Sequence, residues 1–163
     1  METGTLPQPA PDEALAVKRR ELQEDVRKGA AWFYWIAGLS LVNTLLFIFG
    51  ANINFLIGLG ATQLITAIAL GIGDAIGSKG GMMAVKIVAL VASVAIAGAV
   101  ALFGYFAAKG NRWLFIVGMI LYALDGLLLL AFREWAGFLF HLLALWGLYT
   151  GLRATLRLEK LEG

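Results

Sequence analysis

Residues 29–73 contain no charged side chain over 45 positions: GAAWFYWIAGLSLVNTLLFIFGANINFLIGLGATQLITAIALGIG. As a single helix this stretch would be about 67 Å long, at about 1.5 Å per residue. The hydrocarbon core of a bilayer is only about 30 Å thick, so the stretch predicts two membrane-crossing helices rather than one. The glycine and asparagine residues of 50–54 are typical of the tight turn that would join them.

The rest of the chain has the same character. Hydrophobic residues make up 60% of its 163 residues and charged ones 15%, against about 45–50% and about 25% in a typical soluble domain. Mean hydropathy is +0.81. The sequence therefore predicts an all-α integral membrane protein, a bundle of five transmembrane helices at about 32–49, 55–73, 83–108, 113–132 and 135–152.

The two ends of the chain are polar. Residues 1–29 predict a disordered tail followed by a short cytosolic helix, because prolines cluster before residue 12 and charges of both signs alternate after it. Residues 153–163 predict a basic helical tail in contact with anionic lipid headgroups. The first apolar segment has full span length and no cleavage-type site follows it, so we expect a retained signal anchor.

The distribution of basic residues predicts a multi-pass protein of a plasma or inner membrane with a cytoplasmic N-terminus. Five spans place eight basic residues inside and five outside, whereas a four-span alternative places eleven inside and two outside. We favour five spans because residues 135–152 are apolar almost all round, and a helix lying along the membrane surface has a polar face.

Several kinds of chemistry have no support in the sequence. The chain has no cysteine and one histidine, which excludes thiol chemistry and a multi-histidine metal site within one chain. Nucleophile-elbow, zinc-protease and phosphate-loop motifs are absent from the sequence. The basic residues flank apolar spans, which is typical of membrane anchoring and not of a nucleic-acid surface. We therefore expect no catalytic site, cofactor, metal or nucleic-acid partner.

Two titratable residues within the predicted spans form the core of a candidate polar site. Asp125 and His141 each lie eight residues from Arg133, the centre of the predicted turn between spans four and five. Residues equidistant from the turn of an antiparallel hairpin share a depth, here about 12 Å from the turn. A carboxylate at the centre of a membrane helix costs about 2.5–3.5 kcal/mol, so Asp125 needs a proton, water or a charged partner. We expect it to contact His141.

The same arithmetic, applied to a turn between Ala51 and Asn52, pairs Ser40 with Gln63. This places both predicted pairs in one polar layer. The candidate mid-membrane site comprises Asp125, His141, Ser40, Asn43, Gln63 and Thr66.

Span three carries small residues every four positions, at Ala89, Ser93, Ala97 and Ala101. Small residues at this spacing let helix backbones approach closely. The pattern is compatible with a central helix of the chain's own bundle and with a homo-oligomer interface.

The missing catalytic motifs and short loops favour a non-enzymatic structural, assembly or regulatory membrane subunit, with the N-terminal helix as its contact for a cytosolic partner. The alternative is a small oligomeric proton- or ion-coupled transporter or channel that uses the Asp125–His141 polar layer. Histidine titrates close to neutral pH, which suits proton coupling.

Overall fold

The computed structural model describes residues 11–49 and 59–162, and this part of the chain is helical without a strand. The helices are α1 Pro11–Ile48, α2 Gly60–Ile76, α3 Lys79–Ala107, α4 Arg112–Ala131 and α5 Trp135–Glu162. Four of them, all except α2, are long and apolar enough to cross a membrane. The predicted all-α bundle is confirmed at this level. The predicted tail before residue 11 and the predicted turn at 50–54 lie outside the described residues.

α1 is one continuous helix of 38 residues. The sequence predicted a short polar helix that ends near residue 29, before the first span. The structure shows no helix end there, because α1 continues through this position. The sequence there changes from polar to apolar, but its only weak helix former is Gly29. One glycine lowers helix stability by about 1 kcal/mol and does not terminate a helix that packs along its length.

α1 and α2 do not form the predicted antiparallel hairpin. α1 runs antiparallel to α3, because Lys86 near the start of α3 donates a hydrogen bond to the carbonyl oxygen of Ile48 at the end of α1 (3.3 Å). α2 also runs antiparallel to α3, since Gly73 near its end lies against Met82. α1 and α2 therefore run in the same direction, and α2 is a 17-residue helix that packs mainly along α3.

The start of α1 and the end of α5 lie together. Gly29 of α1 faces Gly151 of α5, and a Cβ atom added to either glycine would overlap the other's backbone. Arg112, at the start of α4, forms a 3.0 Å ion pair with Glu159 at the same end. The five-span expectation, which separated the two ends of the chain, is wrong on this point, because α2 does not provide the additional crossing in the opposite direction.

α3 and α4 begin and end within four residues of predicted spans three and four, whereas α2 begins at Gly60 and α5 continues through the predicted basic tail to Glu162. α4 and α5 are joined by a short turn at Arg133, whose φ of 61° lies in the left-handed region. α2 and α3 are joined at Gly77, where a φ of 65° suits glycine. This turn is shorter than the gap between predicted spans two and three, residues 74–82, because both helices extend into that gap.

The small residues of α3 pack inside the chain's own bundle. Ala89, Ser93 and Ala97 are buried and Ala101 is half-buried. Their packing accounts for the spacing by close approach of α3 to its neighbours. Self-association through this stripe stays a prediction.

Candidate functional site

The first turn of α2 is capped by side chains from other helices. The first backbone N–H groups of any helix lack partners within that helix, and Leu59 at the N-cap position supplies no side-chain acceptor. The Oγ atom of Ser40 in α1 accepts from the Leu59 N–H at 2.9 Å. The carboxylate of Asp125 in α4 accepts from the next two amides, Gly60 at Oδ2 and Ala61 at Oδ1, both at 2.7 Å.

His141 of α5 completes this arrangement. Its Nε2 atom lies 2.8 Å from Oδ2 of Asp125, and its Nδ1 lies 2.8 Å from the carbonyl oxygen of Gly137. The ring of Tyr122 stacks on the imidazole, with centroids 4.1 Å apart and planes 12° apart. The side chains of His141 and Asp125 are only 1% and 8% exposed. We call the set formed by Ser40, Asp125, His141 and the first turn of α2 the capping cluster.

The distances fix the number of protons in the pair. A carbonyl oxygen only accepts, so Nδ1 of His141 carries a hydrogen and donates it to Gly137. The 2.8 Å separation of Nε2 and Asp125 Oδ2 requires one further hydrogen between them. An imidazolium–carboxylate pair and a neutral imidazole–carboxylic acid pair both satisfy this geometry. Either form has no net charge, which is the cheaper state for a pair buried in apolar surroundings.

The hydrogen bonds of Asp125 can be compared with the cost of burying a carboxylate. A carboxylate at the centre of a membrane helix costs about 2.5–3.5 kcal/mol. Hydrogen bonds to charged groups contribute about 1.5–3 kcal/mol each, and Asp125 receives two from amides and shares a third with His141. The positive end of the α2 dipole also favours negative charge at this position. The contacts therefore offset the cost of burial.

The structure brings together only part of the predicted polar layer. The predicted contact between Asp125 and His141 is confirmed by their 2.8 Å separation. The predicted pairing of Ser40 with Gln63 is wrong, because Ser40 lies level with Leu59. The pairing assumed an antiparallel hairpin with equal arms, and α2 starts later and runs in the other direction.

The remaining predicted residues lie on α1 and α2, outside the capping cluster as defined above. Asn43 is half-buried in α1, close to one turn beyond Ser40. Gln63 and Thr66 are half-buried further along α2, and among the described residues they are not among the hydrogen-bond partners of the Asp125–His141 pair.

Sequence reasoning missed Tyr122 and the amides of Gly60 and Ala61. Tyr122 precedes Asp125 by three residues, a spacing that places both on one helix face, and this signal could have found it. The amides carried a weaker signal. The residue just before Gly60 is a leucine, so this helix begins without the Ser, Thr, Asp or Asn that usually caps a helix. The absence of a capping side chain at this position indicates that another part of the chain supplies the acceptor. It does not identify the residue that does so.

Both ring nitrogens of His141 and both oxygens of Asp125 make hydrogen bonds with groups of the protein itself. Within residues 11–49 and 59–162, no group of three or more His, Cys, Asp or Glu side chains is arranged to hold a metal ion.

A comparison of the chain with models of known protein families, with curated proteins and with solved structures finds no match. Fold and site together define the class: over residues 11–49 and 59–162, a helical bundle with four helices long and apolar enough to cross a membrane, and a buried polar cap at the start of a fifth.

Proposed function

We propose that this chain is a multi-pass membrane protein that acts without catalysis, as a structural, assembly or regulatory subunit. The observation that carries the proposal is the capping cluster, whose hydrogen-bonding groups hold α1, α2, α4 and α5 together. The buried pair of Asp125 and His141 thus finds its hydrogen-bond partners within the bundle itself.

Large apolar side chains on the outer faces of α3, α4 and α5 support membrane placement. Val88, Leu124 and Trp146 are each more than half exposed in the isolated chain. Exposed apolar surface on this scale is unusual for a soluble monomer and is covered by lipid in a membrane protein.

The direction of the helices supports a cytoplasmic location for both ends of the chain. Ten of the thirteen basic residues lie at the end of the bundle where α1 begins and α5 ends, and three lie at the other. The ten are Lys18, Arg19, Arg20, Arg27, Lys28, Lys109, Arg112, Arg153, Arg157 and Lys160. The three are Lys79, Lys86 and Arg133. This ten-to-three distribution of basic residues follows the positive-inside rule more closely than the eight-to-five distribution expected for five alternating spans.

The surface for a soluble partner is the helical stalk formed by residues 12–28 of α1 and 153–162 of α5. Leu22 and Val26 are buried within it, so α1 is held against the bundle well outside its apolar segment. Leu15 and Val17, further towards the start, stay 43% and 54% exposed. Apolar side chains on a charged, anchored helix favour docking of a protein partner.

The test is the mass of the native complex. The tagged full chain is extracted in mild detergent and measured by native mass spectrometry, as wild type and as Leu15→Ser/Val17→Ser. We expect a complex heavier than the chain alone, and loss of the additional mass in the stalk variant. The matched control is Ile76→Ser/Phe132→Ser, which removes comparable exposed apolar groups at the opposite end. A complex that survives the stalk variant but not the control contradicts the proposal.

Transport is the second candidate, and the 2.8 Å contact between Nε2 of His141 and Oδ2 of Asp125 is the observation that favours it. The test of this candidate is a flux measurement in proteoliposomes. Transport predicts a proton or ion flux that depends on a pH gradient and is lost in His141→Gln. Flux with this dependence would replace the first proposal, whereas its absence leaves the subunit role in place.

A further inference from the structure

A cleft of about 230 Å³ lies at the base of the stalk, between α1, α5 and the turn that joins α3 to α4. Val26 of α1 and Leu158 of α5 belong to its apolar lining, and Arg27 and Lys109 to its charged lining. Within the described part of the chain, no Asp or Glu side chain lines the cleft. Its volume is smaller than that of a typical small-molecule pocket, which is about 300–1,000 Å³. Size and lining therefore favour a single small anionic group.

The two cations of the cleft have no carboxylate partner. Arg27 and Lys109 are both exposed, and among the described residues neither forms an ion pair. Lys28 and Arg112, at the same end of the bundle, are each paired with a glutamate. The ammonium group of Lys109 lies 4.2 Å from the ring centroid of Tyr105. The ring attracts the charge without using all three N–H groups of the ammonium, so donors remain for an anion.

The cleft lies at the level of the membrane surface on the placement proposed above, on which this inference rests. Trp113 and Tyr105, both exposed, lie on either side of the turn that borders the cleft. Tryptophan and tyrosine are enriched at the headgroup level of membranes. This end of the bundle is the one with ten of the thirteen basic residues, which we assign to the cytoplasmic side. The cytoplasmic leaflet supplies anionic lipids.

The end of α3 offers a path for acyl chains from the cleft into the hydrocarbon layer. Because α3 ends at this turn, its earlier residues lie deeper in the membrane. Leu102 and Phe106 are exposed there, and Nζ of Lys109 lies 5.9 Å from the ring centroid of Phe106. A phospholipid with its phosphate at the cleft can therefore lay its chains along these side chains. A free phosphate ion lacks this apolar contact.

The donors of the cleft suit a phosphate. The guanidinium of Arg27 presents a planar fork that binds two phosphate oxygens at once, and Lys109 supplies a point charge. Gln23, half-buried in the lining, adds a side-chain amide that can donate. A phosphatidylcholine would bring a quaternary ammonium group to the same place, where the described lining has no carboxylate to receive it. The cleft therefore favours a phospholipid whose headgroup carries no positive charge.

We propose that this cleft binds the phosphate group of an anionic phospholipid of the cytoplasmic leaflet, between Arg27 and Lys109. The lipid contacts α1 and the turn between α3 and α4 at the same time. Its binding therefore stabilises the contact of the stalk with the rest of the bundle.

The test is lipid binding by the purified full chain in detergent. Binding is measured by native mass spectrometry and by the rise in unfolding temperature that a ligand of the native state produces. The probes are phosphatidylglycerol and phosphatidylcholine with the same acyl chains. We expect phosphatidylglycerol to bind at least about tenfold more tightly. Equal binding of the two lipids would overturn the proposal, because contact with the acyl chains alone would explain it.

Two variants test the residues of the cleft. Arg27→Gln and Lys109→Gln each remove one charge at an exposed position, and we expect each to weaken phosphatidylglycerol binding about tenfold. Arg153→Gln is the matched control, because Arg153 is an exposed cation that does not line the cleft. It lies two residues beyond Gly151, as Arg27 lies two residues before Gly29, and these two glycines face each other. Salt screens a charge that does not touch the phosphate, so we expect the control to change affinity less than about twofold.

Equal losses in all three variants would overturn the proposal, since they indicate a general attraction to a basic surface. Unchanged affinity in Arg27→Gln or in Lys109→Gln overturns it as well.

Inorganic phosphate in large excess, with sodium chloride of equal ionic strength as its control, distinguishes a lipid headgroup from a soluble phosphate. We expect phosphatidylglycerol to stay bound, because its chains contact α3. Displacement by phosphate but not by chloride would assign the cleft to a soluble anion and overturn the proposal. The outcome is separable from that of the subunit role: Lys109→Gln weakens lipid binding and leaves the native mass of the partner complex unchanged, whereas Leu15→Ser/Val17→Ser does the reverse.

Discussion

Replacing Asp125 by asparagine tests the role of the capping cluster directly. The two side chains have nearly the same size, so the change leaves no cavity. Asparagine has one oxygen where aspartate has two, and the carboxylate accepts from both Gly60 and Ala61. One of these amides therefore loses its acceptor and faces an NH₂ group instead.

The expected loss of stability follows from these contacts. An amide left unsatisfied in a buried site costs about 1–3 kcal/mol. If the pair is ionised, the remaining amide bond also changes from a charge-assisted bond to a neutral one, which removes about 1 kcal/mol more. We expect Asp125→Asn to lower the free energy of unfolding by about 1–4 kcal/mol, with the upper end for the ionised pair.

The assay is reversible unfolding in mixed micelles by titration with a denaturing detergent, followed by loss of helical circular dichroism. Hydrogen exchange at Gly60 and Ala61 provides a local measurement, and we expect both amides to exchange faster in the variant. Asp74→Asn is the matched control, because Asp74 is an exposed carboxylate on the same helix, and substitutions at such positions change stability by less than about 0.5 kcal/mol. Stability of Asp125→Asn equal to that of the control, with unchanged exchange at the two amides, would refute the argument.

Three further predictions concern other parts of the bundle. Ser40→Ala removes the acceptor of the Leu59 amide at the N-cap of α2. It should lower the free energy of unfolding by about 1–3 kcal/mol, measured in the same titration; no change would mean that another acceptor replaces Ser40. Gly29→Ala should lower the unfolding temperature strongly because its methyl group overlaps the backbone of α5, whereas Gly38→Ala on the same helix, with open space around it, should be neutral or raise it. Single cysteines introduced as Lys160→Cys and Ser78→Cys should react with an impermeant reagent from opposite sides of the membrane, with Lys160→Cys on the cytoplasmic side. If both variants react from the same side, the helix directions described above are wrong.

The contact of Asp125 with His141 could be predicted because it depends on local geometry. α4 and α5 are joined by a short turn, so counting residues from Arg133 was sufficient to match their depths. The same counting failed for Ser40. Counting residues from a turn is valid only for two antiparallel helices, of which one ends and the other begins at that turn. α2 begins at Gly60 and runs in the direction of α1, and nothing near it in the sequence indicates this.

The continuity of α1 and the common location of the chain ends were not predictable for a related reason. A change of composition near Gly29 marks a change of environment, not a change of backbone conformation. Which end of α5 lies beside α1 depends on close approach at Gly29 and Gly151, residues separated by most of the chain. Hydropathy reports which segments are apolar, and it carries no information on such distant pairings.

The distant cap of α2 has a consequence for the order of events during synthesis. The two amides that Asp125 accepts from precede it by 65 and 64 residues, and His141 follows later still. On the membrane placement proposed above, a growing chain that has inserted α1, α2 and α3 has a helix in place whose first turn still lacks the acceptor of two amides. Until α4 is made, those amides need water or another polar group as a partner. A nascent chain that ends before Asp125 would thus leave the amides of Gly60 and Ala61 without their acceptor, and synthesis of α4 supplies it.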